Sequence, residues 1–207
     1  MRHIYGSPRL SKDVDYVARK RMEFADLSVA LDIKYPRLKI PAEPTGRTGR
    51  GFLVKPISYR GPLGVPDNVE LEVSFRGDLI LDPVRTTYEN PFYDPFDVLV
   101  MSIHEIVSEK IRAMYQRGNP RDLFDLWFIF FRANVMIDFG KVNDLIPHKF
   151  DPDIVAGGWN RGRLYARIRQ QENEWAGALK ALVPAADRVS FDEALSVVET
   201  ALRPLRK

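Results

Sequence analysis

The hydrophobic pattern changes its period near residue 100, and this change constrains the fold more than any other feature. Before it, apolar residues come in short runs between glycines and prolines, which predicts strands. The predicted strands are 14–17, 52–54, 69–75, 79–81 and 98–100. After it, apolar residues recur at helical spacing. The predicted helices are 102–117, 120–133, 139–147, 160–182 and 190–204, with one earlier helix at 23–34. We therefore expect an α+β protein, with an acidic-strand domain at 1–100 and a helical bundle at 101–207.

Composition narrows the class of protein. The chain has 207 residues, of which 45% are hydrophobic, but no apolar run approaches the roughly 20 residues that cross a bilayer. The N-terminus lacks the apolar stretch of a secretory signal, so we expect a soluble, cytoplasmic protein with no membrane contact. With no cysteine and only three histidines, disulfides and thiolate metal sites are excluded. Any metal would be held by oxygen ligands.

Two predicted strands carry alternating carboxylates. Asp13 and Asp15 share one strand face, as do Glu70 and Glu72, because residues two apart in a strand point the same way. Each strand alone is explained by a half-buried strand with a solvated polar face. Three carboxylates converging from neighbouring strands would instead form a Mg²⁺ or Mn²⁺ site, which suits phosphoryl or nucleotidyl transfer.

A lysine interrupts the first helix of the predicted bundle. Ser102 and Glu105 have the spacing of a capping box, which predicts the helix start. Lys110 falls in the middle of the apolar stripe of this helix, where a lysine is costly unless an anion meets it. The lysine therefore reaches a phosphate, pairs with a core carboxylate or extends to solvent.

The next helix is predicted to begin at Asn119, with Pro120 in its first turn. A favourable place near the helix N-terminus is sufficient to explain Asp122. Asp125 lies in a largely apolar helix, so we expect it to be buried and to need a cation. Nearby cations in sequence are Lys110, Arg117 and Arg121. We expect a charged network that joins two helices and leaves one or more cations to reach a phosphate.

Two basic segments are candidates for contact with a polynucleotide. The loop at 45–51, in the most loop-like part of the chain, continues to Lys55 and Arg60. The segment 159–169 combines four arginines with a tryptophan and a tyrosine. For this segment, the alternative is an ordinary solvated helix face.

The motifs around these residues resemble a known family. "YGSPRLSKDVDYV" resembles the R-x-S-x-D-x-D segment, and "EIVSEKIRAMYQRGNPRDLFDLWFI" the K…R-x-x-x-R-D-x-x-D-L segment, of the AbiEii-type nucleotidyltransferases. These are the toxins of bacterial abortive-infection toxin–antitoxin pairs. The acidic strand "VELEVSF" falls between the two motifs in the expected order.

The resemblance implies a DNA polymerase β-like nucleotidyltransferase core, a small mixed sheet flanked by helices, followed by a C-terminal helical bundle. It implies transfer of a nucleotide from an NTP to an acceptor, tRNA ends in some members, and a cognate antitoxin as partner. Implied metal ligands are Asp13, Asp15 and Glu72, which act in catalysis with Lys110 and Asp122. Implied nucleotide-binding residues are Arg9, Ser11, Lys110, Arg117 and Arg121, with Asp125 in support.

The family also carries a Gly-Gly-Thr or Gly-Ser segment before the first motif, and the chain begins only five residues before Gly6. We expect this phosphate-binding segment to be missing or its role to be supplied by another part of the protein. The alternative function is then a truncated, weakly active or inactive remnant that binds nucleotide or protein. We also expect apolar surface to be exposed on the first strand and the central helices, which favours a homo-oligomer. A metal-dependent nuclease would use similar carboxylates but gives no role to Lys110.

Overall fold

The computed structural model describes residues 1–11, 13–61, 63–75, 79–90, 93–150 and 155–206. The chain divides into two compact units. The strand unit comprises Ser11–Leu79 and Pro91–Tyr93, and the helical unit comprises Met1–Leu10, Ile80–Asn90 and Asp94–Lys207. In chain order the elements are α1 (Arg2–Tyr5), β1 (Asp13–Val17), α2 (Phe24–Lys34), β2 (Gly46–Thr48), β3 (Gly51–Arg60), β4 (Pro66–Ser74), β5 (Val84–Asn90), β6 (Tyr93–Val100), α3 (Ile103–Arg117), α4 (Pro120–Phe131), α5 (Phe139–Lys149), α6 (Arg161–Arg169), α7 (Glu172–Leu182), a short 3₁₀ helix (Ala185–Asp187) and α8 (Phe191–Ala201).

The strand unit is built on a mixed sheet with the strand order β1-β4-β3-β2. β1 runs parallel to β4, whereas β4, β3 and β2 are antiparallel to their neighbours. One face of the sheet is apolar, and its core consists of Ala18, Phe24, Phe52, Val54, Ile57 and Val73. Gly51 permits the close approach of β3 to β4, since a Cβ atom there would lie 2.1 Å from the Val73 carbonyl oxygen.

β1 is an edge strand that leaves apolar side chains in solvent. Val14 and Tyr16 are 51% and 52% exposed, as the sequence predicted for the first strand. In the central helix α4 the apolar side chains are instead buried from Leu123 to Ile129, so the expected exposure is wrong for most of that helix. Self-association through β1 stays a prediction.

The helical unit is a bundle around α3 and α4. α3 packs against α4, α5 and α6, and α4 packs against α7 and α8. Fully buried residues at its centre include Val107, Ile111, Met114, Leu123, Phe124, Leu126, Leu164, Ile168, Ala194 and Val198. β5 and β6 form a separate two-stranded sheet. The expected α+β class, a small mixed sheet with helices and a helical bundle, is confirmed.

Several details of the predicted elements are wrong. The helix expected over 160–182 is two helices, and the buried side chain of Gln171 at the break donates through Nε2 to the Arg167 carbonyl, 3.1 Å away. The helix expected to stop at Pro147 continues to Lys149. Residues 41–51, predicted to be the most loop-like part of the chain, contain β2, which pairs with the start of β3. Among the described residues, no helix is both long and apolar enough to cross a membrane.

Candidate functional site

The strand unit places four carboxylates on one sheet face, two on each of two neighbouring strands. In the parallel register of β1 and β4, Asp13 lies opposite Glu70 and Asp15 opposite Glu72. Paired residues on adjacent strands project to the same face, and adjacent strands lie about 4.8 Å apart. Asp13, Asp15 and Glu72 are all exposed, and the intervening Val14 and Tyr16 project to the opposite face. The predicted metal ligands therefore share one solvent-facing surface.

The fourth carboxylate on this face, that of Glu70, forms an ion pair with a lysine of β3. The Nζ atom of Lys55 lies 3.5 Å from Oε2 of Glu70. Lys55 lies within an irregularity in the pairing of β3 with β4, between Val54 and Ile57. Sequence reasoning noted Glu70 as part of the polar face but not this partner, because the two residues lie on different strands. The pair distinguishes Glu70 from Glu72, for which the structure gives no cation partner within the described residues.

The carboxylate face fits a divalent cation in its donor chemistry. Its four acidic side chains offer carboxylate oxygens, the ligands preferred by Mg²⁺ and Mn²⁺. Three or more His, Cys, Asp or Glu side chains are nowhere gathered closely enough to hold a metal ion within the described residues. Exposed Asp and Glu side chains can change rotamer at small cost, so the backbone register sets which carboxylates can meet. At the start of β1, the Ser11 hydroxyl accepts a hydrogen bond from the Asp13 amide, 3.4 Å away.

The helical unit gathers a second set, which we call the Asp122–Asp125 cluster: Arg9, Lys110, Arg117, Asp122 and Asp125. Arg9 donates to both carboxylate oxygens of Asp125, through Nε at 2.7 Å and Nη2 at 3.1 Å. Nζ of Lys110 lies 2.7 Å from Oδ2 of Asp125 and 3.5 Å from Oδ1 of Asp122. Arg117 donates to both oxygens of Asp122, through Nε at 2.8 Å and Nη2 at 2.9 Å. The expected network between two helices is present and also includes the N-terminal segment.

The charges of the cluster do not cancel. Both aspartates are fully buried, and three cations contact their two carboxylates. The five side chains of the cluster therefore carry a net charge of +1. Burial alone would raise the pKa of Asp125, but the attraction of Lys110 and Arg9 outweighs burial and lowers that pKa. The structure thus places Lys110 against core carboxylates, one of the alternatives left open by the sequence.

The turn between α3 and α4 positions the cluster. Gly118 ends α3 in the left-handed conformation, with φ at 57°, and a Cβ atom there would lie 2.9 Å from the buried Gln171 amide. The Asn119 side chain caps α4 by accepting from the Arg121 amide, as predicted. Within the described residues the Arg121 guanidinium has no hydrogen-bond or ion-pair partner. Asp122 in the first turn does more than favour the helix N-terminus, because it binds Arg117 across the turn.

A second buried cluster, which the sequence did not predict, lies around Glu105 and Lys149. Glu105 and Lys149 are 0% and 1% exposed, and Nζ of Lys149 lies 2.7 Å from Glu105 and 2.9 Å from Glu109. Burial opposes ionisation of Glu109, but Arg112 and Lys149 outweigh it and lower the pKa of Glu109. Lys149 follows Val142, Leu145 and Ile146 at core spacing, the same signal that singled out Lys110.

This cluster also corrects the expected capping box and one predicted strand. Ser102 makes no side-chain capping bond, although α3 does begin directly after it. The Glu105 carboxylate instead accepts from the amides of Ile80 at 2.8 Å and Leu81 at 3.0 Å. These amides belong to the predicted strand 79–81, which forms no strand because its donors go to this carboxylate.

Two solved structures share the fold of this chain. JHP933 from Helicobacter pylori matches with a TM-score of 0.55 and 16% identity, over 97% of this chain and 78% of that one. A candidate nucleotidyltransferase from H. pylori matches with a TM-score of 0.53 and 16% identity, over 97% and 80%. At this identity the likeness shows the fold alone. No curated protein matches the chain.

The sequence model of one family covers nearly the whole chain. It is described as nucleotidyl transferase AbiEii toxin of type IV toxin–antitoxin systems, and it matches residues 1–197. The matched range includes the acidic strands, both buried clusters and the turn between α3 and α4. The chain therefore belongs to the AbiEii nucleotidyl transferase toxin family.

Proposed function

We propose that this protein is a metal-dependent nucleotidyltransferase and the toxin of a toxin–antitoxin pair. The reaction joins an acceptor hydroxyl oxygen to the α-phosphorus of an NTP and releases pyrophosphate. RNA, tRNA in particular, is the proposed acceptor. A cognate antitoxin is the proposed protein partner, as the type IV family implies.

The parallel register of β1 and β4 supports this proposal most directly. It aligns Asp15 with Glu72 and leaves Asp13 two residues away on the same exposed face. We assign Mg²⁺ or Mn²⁺ to these three carboxylates, because like charges on one face repel unless a cation lies among them. When bound, such a cation neutralises the triphosphate and lowers the pKa of the attacking hydroxyl. Glu70 is left out of the assignment because Lys55 already pairs with it.

The helical unit supplies the proposed phosphate contacts. A lysine ammonium has three N–H donors, and Lys110 directs two of them to Asp122 and Asp125, so one remains for a phosphate oxygen. Its side chain is 22% exposed, enough for this donor to meet a ligand. Arg117, 51% exposed, contributes its charge from the rim of the same cluster.

Other residues of the two motifs have separate roles in the proposal. Arg121 offers a guanidinium with no partner in the described part of the chain, and fork-shaped donors suit phosphate. Ser11 offers a hydroxyl beside Asp13. The family resemblance implies nucleotide binding for Arg9, and its two bonds to Asp125 give it a positioning role as well. Asp122 and Asp125 act through the cations that they orient.

Growth inhibition in cells tests the proposal. We expect the wild-type chain to stop growth when expressed without an antitoxin, and Asp13→Asn or Asp15→Asn to abolish the effect. Asp26→Asn is the matched control, because it removes an equal charge from an exposed position on α2 of the same unit. Inhibition that persists in both Asp13→Asn and Asp15→Asn would contradict the assigned metal ligands and favour a binding function.

A further inference from the structure

Helix α6 carries more positive charge than its structural role needs. Four of its nine residues are arginines and none is acidic. Leu164 and Ile168 are fully buried and attach the helix to the core. At 100° per residue, Arg163 and Arg167 lie on one flank of this buried stripe, and Arg161 and Tyr165 lie on the other. Gly162 and Ala166 form the exposed crest between the flanks.

On the first flank, Arg163 and Arg167 contact only neutral groups among the described residues. Arg163 lies over the Tyr115 ring, 5.1 Å from its centroid, and donates to the Ala156 carbonyl at 3.3 Å. Arg167 donates to the side-chain oxygen of Gln170 at 3.3 Å. Neither has a carboxylate partner within the described residues. Both charges therefore remain uncompensated in the part of the chain that the structure describes.

The second flank differs in its partners. Arg161 is held by the carbonyls of Arg203 and Leu205, at 3.1 and 2.8 Å. These neutral partners fix the direction of the side chain without cancelling its charge. Arg169 is the one arginine of α6 that the structure pairs with a carboxylate, that of Glu199 at 2.6 Å.

A surface cavity of about 390 Å³ lies at the second flank, lined by Trp159, Asn160, Arg161, Gly162 and Tyr165. Trp159 is fixed by a bond from its indole N–H to the Arg206 carbonyl at 2.9 Å and by an edge contact with Phe150. Two aromatic side chains beside a cation suit a flat π-system attached to an anion. Because Gly162 and Ala166 on the crest are small, an extended polymer can cross α6 close to its backbone, from the cavity to the opposite flank.

The other basic segment is compensated more fully. Arg47 pairs with Glu43 at 2.9 Å, and Lys55 pairs with Glu70 at 3.5 Å. Arg60 donates to the neutral Gly64 carbonyl within its own hairpin, so its charge, like that of Arg50, has no carboxylate partner among the described residues. Of the two segments that the sequence singled out, the structure therefore favours α6 as the surface for a polyanion.

We propose that α6 is a binding site for a single-stranded polynucleotide. One unstacked base enters the cavity between Trp159 and Tyr165, and the adjoining phosphates lie against Arg163 and Arg167 across the crest. Base stacking on aromatic rings combined with arginine contacts to the backbone is the general mode of single-strand binding. Phosphate and base are common to RNA and DNA, so the site is defined by this shared chemistry.

Fluorescence anisotropy with a labelled 12-nucleotide oligomer tests the phosphate contacts. The full chain is used without NTP or divalent cation, so the result does not depend on transfer activity. We expect Arg163→Gln/Arg167→Gln to weaken binding about tenfold and to reduce the slope of log K against log salt by about 1.4, or about 0.7 for each lost phosphate contact. Arg132→Gln is the control, because Arg132 also lies over an aromatic ring, that of Trp127 at 5.8 Å, but is paired with Asp187 at 2.9 Å and lies outside α6. Equal affinities for the double variant and the control would overturn the proposal.

A second variant tests the base-binding cavity. We expect Tyr165→Leu to weaken binding about tenfold with the salt slope unchanged, because stacking involves no counterion release. A duplex of the same sequence should bind more weakly than either single strand. Parallel measurements with RNA and DNA oligomers of the same sequence show which of the two binds more tightly. Duplex binding as tight as single-strand binding, or unchanged affinity in Tyr165→Leu, would overturn the assignment of the cavity.

Discussion

Arg9 and Asp125, 116 positions apart in the chain, form a bidentate ion pair. The Asp125 side chain is fully buried and that of Arg9 is 13% exposed. The pair joins the segment just before β1 to the middle of α4. Lys110 shares the same carboxylate at 2.7 Å. Residues of the two sequence motifs, Arg9 from the first and Lys110 from the second, therefore contact the same buried aspartate.

Removing Arg9 should destabilise the protein. Arg9→Met leaves the buried Asp125 carboxylate with Lys110 alone, and breaking a buried pair costs about 3 kcal/mol. Arg47→Met is the control, since its partner Glu43 is 78% exposed and such surface pairs contribute less than about 1 kcal/mol. Urea denaturation of both variants measures the difference. Equal losses would mean that the Arg9–Asp125 pair contributes no more than a surface contact.

The stability contributed by Asp125 should disappear in acid. An unfolded aspartate titrates near its ordinary pKa of about 3.9, whereas Lys110 and Arg9 lower the pKa of Asp125 in the folded protein. Its charged form therefore stabilises the fold above about pH 4, and this contribution is lost as the pH falls further, through the folded-state pKa. The difference in unfolding free energy between wild type and Asp125→Asn should be constant from about pH 8 to 5 and shrink below pH 4. A difference that stays unchanged into acid would contradict the pKa shift.

Glu105 should matter for both global and local stability. Glu105→Gln removes the charge opposite the buried Lys149 and leaves at most one acceptor for the amides of Ile80 and Leu81. We expect a loss of about 3 kcal/mol and faster hydrogen exchange at those two amides. Glu199→Gln, in the partly exposed pair with Arg169, should cost less than about 1 kcal/mol. Protection at Ile80 and Leu81 equal to that of wild type would contradict the anchoring role of Glu105.

Local signals in the sequence were sufficient for the elements that carry the site. Alternating carboxylates predicted β1 and β4, and the Asn119-Pro120 pair predicted the start of α4. The failures involve partners distant in sequence. Glu105 is satisfied by amides 24 and 25 residues away, so its spacing from Ser102 was misleading. The break before α7 interrupts a continuous apolar stripe, because the buried Gln171 amide packs beside Gly118.

The same limit applies within the candidate site. Burial of Asp125 and its need for a cation followed from the apolar pattern of α4. Its partner Arg9 lies in another motif, so no spacing rule could connect them. The Lys55–Glu70 pair depends on the register of β3 with β4, which the sequence does not reveal.

Arg121 and Lys110 should separate nucleotide binding from stability. The Arg121 guanidinium has no partner in the described part of the chain, so Arg121→Gln should raise KM for NTP about tenfold without changing Tm. Lys110→Met removes a partner from Asp122 and Asp125 together, so it should lower both activity and Tm. Arg132→Gln should leave KM at the wild-type value. A lower Tm with unchanged KM in Arg121→Gln would assign Arg121 to structure instead.

Nucleotide transfer itself tests the central claim most directly. The purified chain is incubated with each α-labelled NTP, Mg²⁺ and total RNA or total protein, and the labelled fraction is identified. We expect the RNA fraction to be labelled by the wild type and by Asp26→Asn. Asp13→Asn and Asp15→Asn should give no labelling, with circular dichroism spectra equal to that of wild type. Labelling that survives in these two variants, or no labelled RNA from the wild type with any NTP, would contradict the proposed function.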